Sequence, residues 1–256
     1  MPVSTHTQLA SPDASDADYQ VRRELAACYR LAHHYRMTDG IATHISARLP
    51  GPGHRILINP FGALFNEVTA SSLVEVNLDG EVLSRGGVIN PAGFLIHSTI
   101  HAARPDVVCV MHTHTAAGVA VSAQEHGLLP ISQQALVIGQ RLAYHDYEGV
   151  ALAQAERITL ARDLGDKAVL ILRNHGLLTA GSSVGEAFWL MMTTQRACEI
   201  QVAALAGGTP LRMLGQDIQD LVAAQLDEAT MGNAPGTLDW IALMREVERI
   251  APDYAD

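Results

Sequence analysis

The spacing of apolar residues divides the chain into stretches of helical and of strand-like period. Val21, Leu25, Cys28, Ala32 and Tyr35 recur every three to four residues, which predicts an amphipathic helix over 18–37, closed by Thr38-Asp-Gly40. Short strands are expected over 40–49 and 55–60, separated by Pro50-Gly-Pro-Gly53, and 69–77 leads into a hairpin through Leu78-Asp-Gly80. A helix over 92–104 carries Phe94, His97, Ile100 and His101 on one side and stops before Pro105. A strand over 107–111 and a helix over 115–122 follow. Next come a helix over 149–164 with Ala151, Ala155 and Ile158 turned inward, and a buried strand over 168–172. Ser183-Val-Gly-Glu186 has the form of a capping box opening a long apolar helix to about Ala206, and two more helical patterns cover 216–229 and 237–250. With no repeat or linker between them, these elements predict one α/β domain over 17–256, a mixed sheet between helical layers that ends in C-terminal helices. Residues 1–16 are polar and read as a disordered leader.

Composition narrows the function. The 256 residues carry a formal charge of −10 and no basic run, which argues against a nucleic-acid or anionic-membrane surface. No apolar stretch reaches membrane-spanning length, and the leader lacks the apolar core of a signal peptide. Cys28, Cys109 and Cys198 stand far apart without metal-binding or disulfide spacing, so the expected location is the reducing cytoplasm. Lys167 is the only lysine and falls in an exposed-looking turn, which leaves little room for Schiff-base catalysis.

The candidate chemistry lies in the histidines. In Val107-Val-Cys-Val-Met-His-Thr-His-Thr115, His112 and His114 are two apart, and on a strand such residues share a face. His175, in Arg173-Asn-His-Gly176, ends a second apolar run and could complete a three-nitrogen metal site with an open position. The alternative is a hydrogen-bonded histidine cluster in a polar cleft. His97 and His101, four apart on a helix, lack the Glu of the H-E-x-x-H pattern, since Ser98 stands there; a packing or supporting role is expected. His145, Asp146 and Glu148 cluster in a polar loop that could supply a general acid or orient another group. Nucleophile-elbow, P-loop and dinucleotide-binding signatures are missing.

Further residues carry a resemblance to the class II aldolase/adducin family, and within it to the adducin head. They are Ile58-Asn-Pro-Phe-Gly62, Val68-Thr-Ala-Ser-Ser-Leu73, Ile89-Asn-Pro-Ala-Gly-Phe94, Ile100-His-Ala-Ala-Arg-Pro-Asp106, Ala143-Tyr-His-Asp-Tyr-Glu-Gly149, Arg173-Asn-His-Gly-Leu177 and Arg196-Ala-Cys-Glu-Ile200. The resemblance implies a three-layer α/β/α sandwich with a mixed, mostly antiparallel sheet and a homotetramer. It also implies a divalent metal, zinc before iron or manganese, on His112, His114 and His175. Family aldolases use such a metal to polarise a carbonyl of a sugar phosphate.

Departures from the family pattern are as informative. The family's acid/base carboxylate falls on Gly93, and part of its phosphate pocket on Pro91-Ala92. His44 and Phe61 replace two other pocket residues, whereas Ser46 and Gly62 persist. A substrate pocket of His44, Ser46, Phe61, Gly62, Gly93 and His97 is therefore expected, with no general acid or base identified. The reading is a metal-dependent lyase, cleaving an aldol or removing carbon dioxide, that acts on a small non-phosphorylated oxo or hydroxy compound. An Fe(II) oxygenase on the same three histidines and a non-catalytic adducin-like interaction domain are the alternatives. The sequence ends at Asp256 without the long, basic-ended tail of adducins, which favours catalysis.

Overall fold

The computed structural model describes residues 14–84, 86–150, 155–229 and 233–256. Most of the expected leader therefore lies outside the described residues. Seven strands form one sheet: β1 (His44–Arg48), β2 (Arg55–Ile58), β3 (Val74–Asn77), β4 (Cys109–Thr113), β5 (Leu142–His145), β6 (Val169–Leu172) and β7 (Gly176–Gly181). Their order is β3-β2-β1-β4-β7-β6-β5, antiparallel throughout except for the parallel pair β5–β6. The helices are α1 (Ala14–His34), α2 (Pro91–Ala103), α3 (Ala116–Ser122), α4 (Gln133–Gly139), α5 (Glu156–Leu164), α6 (Val184–Ala206), α7 (Gln216–Ala229) and α8 (Thr237–Ile250). None of them is long and apolar enough to cross a membrane.

Side-chain alternation assigns each strand residue to a layer. Ile45, Ala47, Cys109, Met111, Ile171 and Leu177 enter one core with α1, α6 and Val247 of α8. Val110, Leu170, Leu172, Leu178 and Ala180 enter a second core with Leu95, Ile96 and Ile100 of α2 and Leu160 and Leu164 of α5. The expected three-layer sandwich follows, and the even-numbered residues of β1 and β4 face α2.

Tyr29 ties the first layer to the sheet. Its buried hydroxyl accepts from the backbone N–H of Ile45 at 2.9 Å and of Asn59 at 3.0 Å, and lies 2.9 Å from Asn59 Oδ1. The hydroxyl thus joins the ends of β1 and β2 to α1.

Several expectations need correction. Strand β1 begins only at His44, because Gly40 turns the chain with a positive φ of 51°. The hairpin beyond β3 is reduced to a single bridge, Val76 to Val82. Helix α5 starts at Glu156 and buries Glu156, Leu160 and Leu164 against α2, leaving Ala155 exposed and Ile158 74% exposed; Ala151 lies outside the described residues. The inward stripe differs because Glu156 is drawn in beside His145. At the start of α6, Ser183 caps the Glu186 N–H as expected, but the Glu186 carboxylate takes its hydrogen bonds from Ser182. Elements α4, β5 and β7 have no counterpart in the sequence reading.

Replacing Tyr29 with phenylalanine would strand the buried Ile45 and Asn59 amides, at a cost of about 2–4 kcal/mol. Urea unfolding at fixed protein concentration should show a correspondingly lower midpoint with an unchanged slope; an unaltered midpoint would mean that the hydroxyl is dispensable.

Candidate metal centre

Two strand ends and one turn build the centre. His112 lies near the end of β4 on the α2 side, and His114 follows just past the strand on the same side. His175 occupies the tight turn between β6 and β7. Asn174 makes that turn with φ 57°, a left-handed conformation that asparagine tolerates. Gly176 allows the turn to press on β4, since a Cβ there would collide with the Thr113 carbonyl oxygen.

The three imidazoles converge through Nε2. His112 Nε2 is 2.8 Å from His114 Nε2, which is 3.0 Å from His175 Nε2. The opposite nitrogens are occupied elsewhere: His112 Nδ1 lies 2.9 Å from the Leu177 carbonyl oxygen, and His114 Nδ1 lies 3.3 Å from Asp39 Oδ2. Both acceptors call for a proton on Nδ1, which leaves two bare Nε2 lone pairs facing each other. Lone pairs so placed repel unless a cation lies between them. Tetrahedral ligands at a zinc–nitrogen distance of 2.0–2.1 Å stand about 3.3 Å apart, so the donor set fits an ion with small adjustments.

Behind this cluster runs a line of buried polar side chains. His44 faces His112 directly across the β1–β4 pairing, and their ring centroids are 5.0 Å apart. His44 Nδ1 lies 2.7 Å from His97 Nε2, His97 Nδ1 lies 2.5 Å from Ser46 Oγ, and Ser46 Oγ lies 2.8 Å from His101 Nε2. Helix α2 supplies His97 and His101 one turn apart. Its start is fixed by Asn90, whose side chain accepts from the Ala92 and Gly93 N–H groups, and by Pro91 in the first turn. Burial holds the His44, His97 and His112 imidazoles well below the usual histidine range, and neighbouring imidazoles push the same way. His101 is lowered to about 3 by burial and the Arg48 guanidinium, and His175 to about 4 by burial and His114.

Gly93 explains how His44 fits. A Cβ on Gly93 would stand 2.5 Å from His44 Cδ2 and 2.7 Å from its Nε2. The imidazole therefore fills the space that any side chain at position 93 would need.

Phe61 and Gly62 are not drawn into this constellation: no hydrogen bond or ring contact joins them to it among the described residues, and Phe61 is 44% exposed. His145 is buried, with Nδ1 2.8 Å from Asp163 Oδ2 and Nε2 4.0 Å from Glu156 Oε1. The same loop brings the Tyr147 ring to 6.3 Å from that of His175. Lys167 pairs with Asp166 in its turn. Asp39, Glu156 and Asp163 are polar participants that sequence reasoning missed. The first was read as turn chemistry, and the second was hidden by an apolar stripe assigned to the wrong helical face.

The contact at Gly93 makes a direct prediction. Gly93→Ala should cost about 1–3 kcal/mol from overpacking, and adding His44→Ala should recover most of it, giving a coupling above about 1 kcal/mol in a double-mutant cycle. Additive effects on thermal or urea unfolding would show that the two positions do not compete for the same space.

Comparison with known proteins identifies the family and the fold. Residues 23–202 match the family model described as the class II aldolase and adducin N-terminal domain. The crystal structure of an aldolase II superfamily protein from Pseudomonas syringae superposes with a TM-score of 0.87 at 50% identity, covering 96% of this chain and 98% of that one. An L-fuculose 1-phosphate aldolase from Glaciozyma antarctica superposes with a TM-score of 0.84 at 26% identity, over 97% and 96% of the two chains. Rat alpha-adducin is 51% identical over 190 residues, which are 73% of this chain and 26% of that protein. The chain belongs to the class II aldolase and adducin family.

Proposed function

We propose that this protein is a metal-dependent carbon–carbon lyase acting on a small, non-phosphorylated oxo or hydroxy acid. His112, His114 and His175 hold one divalent ion, zinc in the first instance. The observation that carries this reading is the pair of bare Nε2 lone pairs, each fixed by an outer partner on its own ring, with a third imidazole 3.0 Å away. When bound, the ion supplies a Lewis acid that polarises a carbonyl and offsets negative charge developing as an adjacent bond breaks.

The ligand class follows from the residues around the histidines. All three metal-binding side chains are neutral imidazoles, so the ion's charge is not cancelled and an anionic oxygen is favoured beside it. A phosphate needs several converging donors. Proline at 91 has no N–H, Ala92 no hydroxyl, and Asn90 already occupies the Ala92 and Gly93 amides as the cap of α2. A carboxylate, with two oxygens, asks less: the metal on one side and the His44 ring on the other. The expected compartment is the cytoplasm. The expected assembly is a homotetramer using the exposed Leu238 and Ile241 of α8, while Leu243 and Met244 of that helix pack on the chain's own core.

A second reading, a non-catalytic interaction domain of the adducin type, is favoured by one observation, the 51% identity to alpha-adducin. The two readings separate on metal content and turnover. Purified protein should carry one equivalent of divalent metal per 27.4 kDa chain and behave in light scattering as a multiple of that mass. Loss of an outer partner alone costs about 10–100-fold in metal affinity, so His175→Ala should lose more than about a hundredfold. A full equivalent of metal in that variant would refute the assignment. Screening 2-oxo and hydroxy acids with zinc-loaded protein should reveal turnover, with negligible cleavage of fuculose, ribulose or rhamnulose phosphates. Metal-loaded protein silent on every acid, or turning over a sugar phosphate at about one per second, would overturn the lyase reading.

A further inference from the structure

A polar network that served packing alone would close on itself, with every buried nitrogen satisfied. The line His44–His97–Ser46–His101 does not close at either end. His44 Nε2 makes no hydrogen bond among the described residues and points at the space over Gly93, beside His112. At the other end His101 Nδ1 is buried without a well-formed hydrogen bond, with the Val107 carbonyl beside the ring. His101 also lines a separate surface pocket of about 460 Å³ with Arg48, Leu49, Gly51, His54 and Pro105. Between the ends each contact is 2.5–2.8 Å, and His97 uses opposite nitrogens for its two neighbours.

We propose that His44, His97, Ser46 and His101 form a proton relay linking the three-histidine site to that second pocket, with His44 exchanging the proton with the ligand. The assignment of His44 as a catalytic residue rests on the lyase reading above; His97, Ser46 and His101 act through it as positioning residues. A serine hydroxyl has one proton, so the line has two complete arrangements. In one, all three imidazoles carry their proton on Nδ1 and Ser46 donates to His101 Nε2. In the other, all three carry it on Nε2 and Ser46 donates to His97 Nδ1.

Passing between the arrangements moves one proton from end to end. His44 Nε2 takes a proton from the ligand while its Nδ1 proton passes to His97 Nε2. The His97 Nδ1 proton passes to Ser46 Oγ as the Ser46 proton passes to His101 Nε2, and the proton on the buried His101 Nδ1 leaves to a water admitted from the pocket that His101 lines. Five bonds to hydrogen break and five form. Every imidazole is neutral before and after, so the transfer does not depend on where any ring titrates. Burial, which disfavours an imidazolium at His97 and His101, favours this neutral route. The relay gives the site a base although position 93 carries no side chain.

The test is ring-nitrogen NMR of the zinc-loaded full chain labelled with ¹⁵N-histidine. All three rings should be neutral and protonated on the same nitrogen. Ser46→Ala should alter the tautomer balance at His44, and Ser46→Thr, which keeps the hydroxyl, should restore it. His97 protonated on Nδ1 with His101 protonated on Nε2 would overturn the proposal, because Ser46 would then accept from both and pass nothing. An unchanged His44 in Ser46→Ala would overturn it too. If that variant does not fold, the wild-type tautomer pattern decides alone. On any acid that the wild type turns over, Ser46→Ala should lower kcat about a hundredfold with KM within about twofold, and Ser46→Thr should recover most of it; an unchanged kcat would refute the relay. Wild type inactive on every acid but with matched tautomers would sink the lyase reading and leave the relay standing.

Discussion

The pairing of β1 with β4 is the constraint on which the site depends. It sets His44 opposite His112 and Ser46 opposite Val110. Because side chains alternate, a slip of one residue would turn His44 and Ser46 toward α1 and α6 and bring Ile45 under α2. No polar contact within the site is strong enough to fix that choice. It is fixed by Ile45, Ala47, Cys109 and Met111, whose apolar side chains have their place in the opposite layer. Tyr29 reinforces it from that same layer by holding the Ile45 and Asn59 amides. The polar centre is thus registered by its apolar neighbours, one residue out of phase.

How much of this was legible in the sequence follows from how local each signal is. The H-x-H pair was readable because strand alternation acts over two residues, and His175 because it closes an apolar run. Helices α7 and α8 were readable to the residue, being amphipathic and bounded by turn residues. Strand β7 was not. Gly176–Gly181 is buried along its whole length, so it carries no alternation to detect. Strand β5 is half-buried up to His145 and so shows neither a continuous apolar run nor an alternation. The contact of His44 with Gly93 joins residues far apart in sequence, and no periodicity reports such a pair.

Placing so many imidazoles in the interior would ordinarily cost stability. Here most ring nitrogens have a partner, drawn from three sources: backbone carbonyl for His112, carboxylate for His114 and His145, and another imidazole or hydroxyl for His44, His97 and His101. Of the nitrogens left without one, His44 Nε2 and His101 Nδ1 stand at the two ends of the polar line, and His145 Nε2 lies beside Glu156. Helix α2 does more than cover the sheet. By standing over the even-numbered face with histidines one turn apart, it turns a packing layer into the back wall of the site.

The mutual exclusion of His44 and any side chain at 93 also bears on descent. With His44 in place, a carboxylate at 93 has nowhere to stand; with glycine at 93 and a small residue at 44, the space beside His112 is vacant. Either intermediate is worse than both end states. Lineages of this fold should therefore cross between the imidazole form and the carboxylate form rarely, and only when both codons change. The identities at positions 44 and 93 would then sort family members into two chemical lineages more cleanly than the metal-binding triad does, since both forms can keep those three histidines.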